Sequence, residues 1–232
     1  RPPPATRPAD LDRAHDLRTP LTVILGQAQL LQRRAIRAGL DERNQRTLDT
    51  IAEQAERLNQ LIAALLDLSR IQEGRLTIQP ESLDLGALLT RVVSEVQSME
   101  TVHAVILRPL PSPLILDADP LRLEQVLRNL LSNAVKYSPQ GGTITIWAER
   151  NGQQVQVHIS DQGIGIPDEA LPHLFTRFYR APNATVQTTS SLGIGLFVVR
   201  ELVHAHGGTI TVTTAVDQGS TFTVSLPLLD IQ

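Results

Sequence analysis

The stretch Leu127-Arg-Asn-Leu-Leu-Ser-Asn-Ala-Val-Lys-Tyr137 decides how this chain reads. Lys136 is its only lysine in a sequence otherwise served by arginine, and it follows Asn129 by seven residues and Asn133 by three. At about 3.6 residues per turn, spacings of three, four and seven put the three side chains on one face of a helix. Two carboxamides there offer oxygen to a hard cation, and the ammonium beside them offers a compact charge to a phosphate. Taken alone the pattern is also that of an ordinary amphipathic helix with a polar side. What lies downstream turns it toward a Mg-nucleotide site.

After this helix, the alternating strand Val155–Ser160 runs into Asp161-Gln-Gly-Ile-Gly-Ile-Pro167. A carboxylate at a strand end can accept a hydrogen bond from an exocyclic amine such as adenine's, and the glycines let backbone approach a flat ring. The same residues also suit a plain tight turn. Phe175-Thr-Arg-Phe-Tyr-Arg180 sets aromatics beside two guanidinium groups. Ala181 to Ser191 is polar, rich in Thr and Ser and without period, which suits either a lid over a ligand or a surface loop. Gly193-Ile-Gly195 opens the next helix, where free backbone N–H groups suit an anion. The last strand begins Gly219-Ser-Thr-Phe222.

Upstream, the apolar residues Leu17, Leu21, Ile24, Ala28 and Leu31 recur at helical spacing. Gly39 and Asp41 mark a turn, and Leu48, Ile51, Ala55, Leu58, Ile62 and Leu65 then alternate three and four apart. That is the heptad seam of coiled coils and four-helix bundles. Two helices make only a hairpin, and the apolar surface of Leu25, Leu61 and Leu68 calls for a partner, so a homodimeric four-helix bundle is expected. Gly74 ends this region, giving expected domains of 1–73 and 74–232. In the second, strands are expected at Leu76–Ile78, Ala104–Leu107, Thr143–Ala148, Val155–Ser160, Thr209–Thr214 and Thr221–Leu226. Helices interleave near Leu85–Val96, Leu121–Lys136 and Ile194–His206. The fold class that follows is an α hairpin plus an α/β sandwich, a mixed sheet with helices on one face.

Bulk properties bound the function. The 232 residues are 41% hydrophobic, enough for real cores. A net charge of −3 gives no excess of basic charge for wrapping nucleic acid, and the absence of cysteine excludes thiolate and disulfide chemistry. No apolar run reaches membrane-spanning length. The start at Arg1 suggests an excised piece, so a membrane anchor or sensor is expected only upstream, with the chain itself cytoplasmic.

The order Asn-x-x-x-Asn with Lys-Tyr, Asp-x-Gly-x-Gly, Phe-x-Arg-Phe-Tyr-Arg, Gly-x-Gly-Leu and Gly-Ser-Thr-Phe resembles the ATP-binding domain of sensor histidine kinases. That fold is shared with type II topoisomerases and some chaperones. The resemblance implies that Asn129 and Asn133 hold Mg²⁺ and that Lys136 and Tyr137 contact phosphates. It also implies that Asp161 recognises adenine, that Gly163 and Gly165 shape the pocket, and that Arg180 reaches toward the γ-phosphate. Gly193, Gly195, Leu196 and Thr221 complete the implied ATP-binding set. The family usually has a glycine where Ser191 stands.

The first helix carries Ala14-His-Asp-Leu-Arg-Thr-Pro-Leu21, which is similar to the family's phosphoacceptor segment, with Asp16 where glutamate is commoner. His15 lies off the apolar stripe set by Leu17. A carboxylate bonded to one ring nitrogen makes the other more nucleophilic, and Asp16 is the candidate. Thr19 is one turn on, and by resemblance it positions water for dephosphorylating a partner. Pro20 removes a helical N–H and kinks the helix. The whole then resembles a dimeric kinase core that phosphorylates His15 from ATP and passes the phosphoryl group to a response-regulator receiver domain. A catalytically silent nucleotide-binding scaffold is the alternative, and an ATP-hydrolysing clamp of the same fold a further one. The presence of His15 and Asp16 alongside the pocket residues argues against both.

Overall fold

Apolar residues spaced three and four apart wind Glu42–Gln72 into α1, 31 residues long. The structure is a computed structural model. It describes residues 42–99, 102–111, 113–184 and 193–229, together with Gly26 and Leu31, both helical. His15, Asp16, Thr19, the turn at Gly39 and Asp41, and Ser191 lie outside the described residues.

The seam expected on α1 divides in two. Ala55 and Ile62 are buried, whereas Ile51, Leu58 and Leu65 are 45%, 48% and 43% exposed. Each set repeats every seven residues, so one stripe is covered and another is open. Leu68, expected among the uncovered apolar residues, is instead buried. The chain divides into two compact units, residues 1–75 and 76–232.

The second unit contains β1 (Glu81–Asp84), α2 (Leu85–Met99), β2 (His103–Leu107), β3 (Ile115–Ala118) and α3 (Pro120–Lys136). There follow β4 (Gly142–Asn151), β5 (Gln154–Ser160), a 3₁₀ segment Asp168–His173, α4 (Gly195–Ala205), β6 (Thr209–Ala215) and β7 (Gly219–Pro227). Five strands form a sheet in the order β2-β4-β5-β7-β6. Only β2 and β4 run parallel within it, and the remaining pairs are antiparallel. The expected strand at Leu76–Ile78 is absent. Instead the short, mostly exposed β1 pairs antiparallel with β3 as a separate two-stranded ribbon. Four-residue strands carry too little alternation to be seen in sequence.

Period-two alternation places Ile144, Ile146 and Ala148 on the same buried face as Val155, Val157, Ile159, Phe222, Val224 and Leu226. The helices contribute Val92, Leu123, Val126, Leu130, Val199 and Leu202, all almost wholly buried. Each such side chain contributes about 1.5–3 kcal/mol by leaving water. α3 packs between α2 and α4.

The opposite face of the sheet is half-buried. Trp147, His158 and Thr223 form one row across β4, β5 and β7. Trp147 stacks on His158 with ring centroids 4.6 Å apart, and the Arg108 guanidinium lies 5.0 Å from the Trp147 centroid. His158 Nδ1 and Thr223 Oγ1 are 2.9 Å apart.

Candidate functional site

α3 forms because Asp119 caps it and Pro120 sits at its first turn, where a missing N–H costs nothing. Its apolar residues Leu123, Val126, Leu127, Leu130, Leu131 and Ala134 go into the core, which turns Asn129, Asn133 and Lys136 to the less buried side. Asn129 Nδ2 donates to the Gln125 carbonyl at 3.0 Å, which orients the amide and frees Oδ1 to act as an acceptor or ligand. That oxygen lies beside the start of α4, because a Cβ on Gly195 would come within 3.2 Å of it. The Asn133 side chain makes no hydrogen bond among the described residues. The Lys136 ammonium is 5.2 Å from the centre of the Tyr137 ring.

The helix end is joined directly to the Asp161 loop. Ile164 N–H donates to the Tyr137 carbonyl at 3.0 Å, and Gly163 lies so close to that carbonyl that any Cβ would overlap it. Glycine is therefore required here by close approach.

Asp161 is 7% exposed. Its Oδ1 accepts from Gly163 N–H at 2.8 Å and from Ser220 N–H at 3.2 Å. Oδ2 accepts no hydrogen bond among the described residues. Burial pushes this carboxyl above the ordinary carboxylate range, and the two N–H bonds only partly oppose it. A buried carboxylate with one fixed oxygen and one spare acceptor can read a donor on a ligand.

Sequence reasoning credited Asp161 to its own loop, but much of its support comes from β7. Besides the Ser220 N–H bond, Asp161 N–H donates to the Ser220 carbonyl at 2.9 Å. Gly219, at φ 85°, packs against the Asp161 carbonyl where a side chain would overlap. Thr221 Oγ1 donates to Ser160 Oγ at 2.9 Å, one residue before Asp161. The signal for this was the Gly-Ser-Thr-Phe motif, whose glycine marks a close backbone approach.

At the N-terminus of α4, Ile194 holds the cap position and makes no side-chain cap bond, so among the described residues no side chain caps the first N–H groups. Leu196, its second residue, is half-buried. Gly193 packs against the Phe178–Tyr179 backbone, and its carbonyl accepts Phe178 N–H at 2.9 Å. Phe178 itself has φ 63° and is largely exposed, a strained conformation for an aromatic residue. Arg180 is half-buried. Asn183, which sequence reasoning missed, donates from Nδ2 to the Gly165 carbonyl at 2.9 Å and so ties the segment after Arg180 to the glycine loop.

Among the described residues no cluster of three or more His, Cys, Asp or Glu could hold a metal ion. The oriented amide of Asn129 and the unbonded amide of Asn133 nonetheless fit Mg²⁺, which keeps waters and is commonly shared with substrate phosphates. No helix among the described residues is long and apolar enough to cross a membrane.

Two family models match. Residues 12–74 match the His Kinase A (phospho-acceptor) domain, and residues 118–230 match the histidine kinase-, DNA gyrase B- and HSP90-like ATPase. The circadian input-output histidine kinase CikA of Synechococcus elongatus is 36% identical over 92% of this chain and 29% of its own length. The sensor histidine kinase WalK of Bacillus subtilis is 32% identical over 94% of this chain and 36% of its own. The chain thus spans about a third of these curated relatives. Among solved structures, full-length ShkA in complex with AMPPNP superposes with a TM-score of 0.71 at 26% identity, covering 96% of this chain and 46% of that one. The Acinetobacter baumannii histidine kinase AdeS gives 0.62 at 27% identity, covering 93% and 98%.

Proposed function

The chain belongs to the sensor histidine kinases of two-component systems, and from that premise we propose that it is an autophosphorylating kinase core. ATP binds in residues 76–232, and its γ-phosphoryl group passes to His15. The observation that carries the reading is Asp161, a buried carboxylate braced through Oδ1 and with Oδ2 spare for adenine's amine. Asn129 and Asn133 hold Mg²⁺, and Lys136, Tyr137 and the first N–H groups of α4 meet phosphate oxygens. The bound Mg²⁺ would supply charge neutralisation at the phosphates. Gly193, Gly195, Leu196 and Thr221 line or brace the nucleotide, and Arg180 faces the γ-phosphate. Rate comes mainly from positioning and electrostatics, as is general for phosphoryl transfer.

At the acceptor, Asp16 holds one nitrogen of His15 so that the other attacks phosphorus. The phosphoryl group then moves to an aspartate of a response-regulator receiver domain, and Thr19 orients water for the reverse, phosphatase direction. Two copies pair through the first unit. The open stripe of Ile51, Leu58 and Leu65 on α1 supports this pairing, since it is the seam a second hairpin would cover. The core works in the cytoplasm, where its nucleotide is.

Incubation with γ-labelled ATP and Mg²⁺ tests the reading. Wild type is expected to acquire an acid-labile, base-stable label, and His15→Gln to acquire none while keeping its ATP affinity. Stoichiometric labelling of His15→Gln would overturn the acceptor assignment. Thr19→Ala is expected to keep autophosphorylation and to lose phosphatase activity toward the cognate regulator. Loss of the first with retention of the second would contradict that division.

A further inference from the structure

His206 and Asp119 stand 87 residues apart in sequence and meet in the core. They are 6% and 8% exposed. The Asp119 backbone N–H donates to His206 Nε2 at 3.0 Å, and His206 Nδ1 lies 2.7 Å from the Leu202 carbonyl. A ring nitrogen that accepts an N–H carries no proton, so Nδ1 holds it and donates to Leu202, and the ring is the neutral tautomer. Each partner terminates a helix. Asp119 caps α3, with Oδ1 accepting from Leu121 and Arg122 N–H groups at 3.0 and 3.1 Å, while His206 is the C-cap of α4. Asp119 Oδ2 accepts Gln79 N–H at 3.0 Å, which pins the segment entering the unit to the same point.

The two helices meet again where Asn129 Oδ1, midway along α3, adjoins Gly195 at the start of α4. From 119 to 129 along α3 is about 15 Å, and from 206 back to 195 along α4 is about 16 Å, at 1.5 Å per residue. The facing stretches are therefore antiparallel and of similar length, joined by a polar bolt at one limit and flanked by the proposed metal and phosphate groups at the other. Between these two points lie Leu123, Val126, Leu127, Val199, Leu202 and Val203, all buried and apolar. Apolar packing is non-directional and resists sliding less than a fixed pair of hydrogen bonds does.

We propose that His206, through its bonds to Asp119 N–H and the Leu202 carbonyl, is a positioning residue that sets the register of α4 against α3, and so the spacing between Asn129 and the N–H groups opening α4. This rests on the nucleotide reading of that site. The Asp161 loop is built from β5 and β7 and is braced independently of the bolt. The bolt therefore acts on recognition of the triphosphate and leaves recognition of adenine alone.

Adenosine and Mg-ATP affinities of the full chain, by NMR titration and calorimetry, test this. His206→Leu keeps bulk and removes both bonds. It is expected to bind ATP about fivefold or more weakly, because displacements of about 1 Å are felt strongly at such sites. Its adenosine affinity is expected to stay within about twofold of wild type, since distant sites act independently. His206→Gln, whose amide offers an acceptor and a donor, is expected to restore ATP affinity to within about twofold. If His206→Leu does not fold, His206→Asn serves, because its shorter amide cannot span both partners, and the same ratio is read. A folded variant in which ATP and adenosine weaken equally, or neither weakens, would overturn the proposal and leave only a stabilising role. Failure of wild type to bind ATP at all would overturn the nucleotide reading, and the bolt's role with it.

Discussion

Asp119 and Asp161 are the same residue type, almost equally buried at 8% and 7% exposed, and both accept backbone N–H bonds. Their acidities move in opposite directions. Burial pushes Asp119 up, but three N–H bonds, from Gln79, Arg122 and Leu121, together with the Arg122 charge outweigh it and hold the carboxyl below the usual range. Asp161, though about as little exposed at its surface, is set much deeper among protein atoms and has only two such bonds, both on one oxygen, and burial wins. The difference separates a completed site from an incomplete one. At Asp119 the fold supplies partners for both oxygens, whereas at Asp161 it leaves one oxygen for something else. A buried group whose environment disfavours its working charge is a mark of function rather than of stability.

The strongest way to break the contrast is Asp161→Asn. A hydrogen bond to a charged acceptor is worth about 1.5–3 kcal/mol, so ATP affinity should fall about 10- to 100-fold. The unfolding free energy of the nucleotide-free protein should stay level or rise, because a penalised charge is removed. Wild type should also prefer ATP to GTP, since guanine would set a carbonyl against the carboxylate. Equal affinity for the two nucleotides, or an Asp161→Asn variant that binds ATP normally, would make Asp161 another structural aspartate.

Asp119→Ala should do the reverse. Loss of the cap costs about 0.5–2 kcal/mol, and the stranded Gln79 N–H adds to that. Denaturant unfolding would measure the loss. The backbone N–H to His206 survives this change, so ATP affinity of the folded variant should move by less than that of Asp161→Asn. A variant with unchanged stability would show that the three N–H bonds hold nothing in place.

Acid sharpens the comparison further. Asp161, with its folded value raised, adds stability that is complete below its unfolded value of about 3.9 and is lost as pH rises through the folded value. Asp119, with its folded value lowered, adds stability that is present above about 3.9 and is lost as pH falls through the folded value. Between neutrality and about pH 4 the nucleotide-free protein should therefore gain the Asp161 contribution while adenine binding weakens. Below that range it should lose the Asp119 contribution. Unfolding measured against pH should lack the first change in Asp161→Asn and the second in Asp119→Ala; identical curves for all three proteins would remove the distinction.

The sequence was most legible where chemistry demands particular residue types at fixed spacing. Asn129, Asn133 and Lys136 lie within two turns of one helix, and Asp161 is followed at once by its glycines. Their grouping needs no knowledge of distant chain. It was least legible where a partner is far away. Ser220 braces Asp161 from 59 residues on, and His206 reaches Asp119 across 87. From its neighbours alone His206 reads as an ordinary helix-ending histidine. The strands β1 and β3 escaped for another reason, since four residues hold no usable period. The apolar spacing in α1 marks a helix, but a period cannot say which of two stripes one chain covers by itself.

Trp147 is the chain's only tryptophan, and its indole lies flat against His158 on the half-buried face of the sheet. Burial holds the imidazole below its ordinary value of 6.5, against a smaller upward pull from Glu149. Since a protonated imidazole quenches a stacked indole and a neutral one does so weakly, the intrinsic emission of the folded chain is a one-residue optical meter. It should dim on acidification with a midpoint under 6.5, and it should stop doing so in His158→Gln. The dye is built into the face of the sheet turned away from the core.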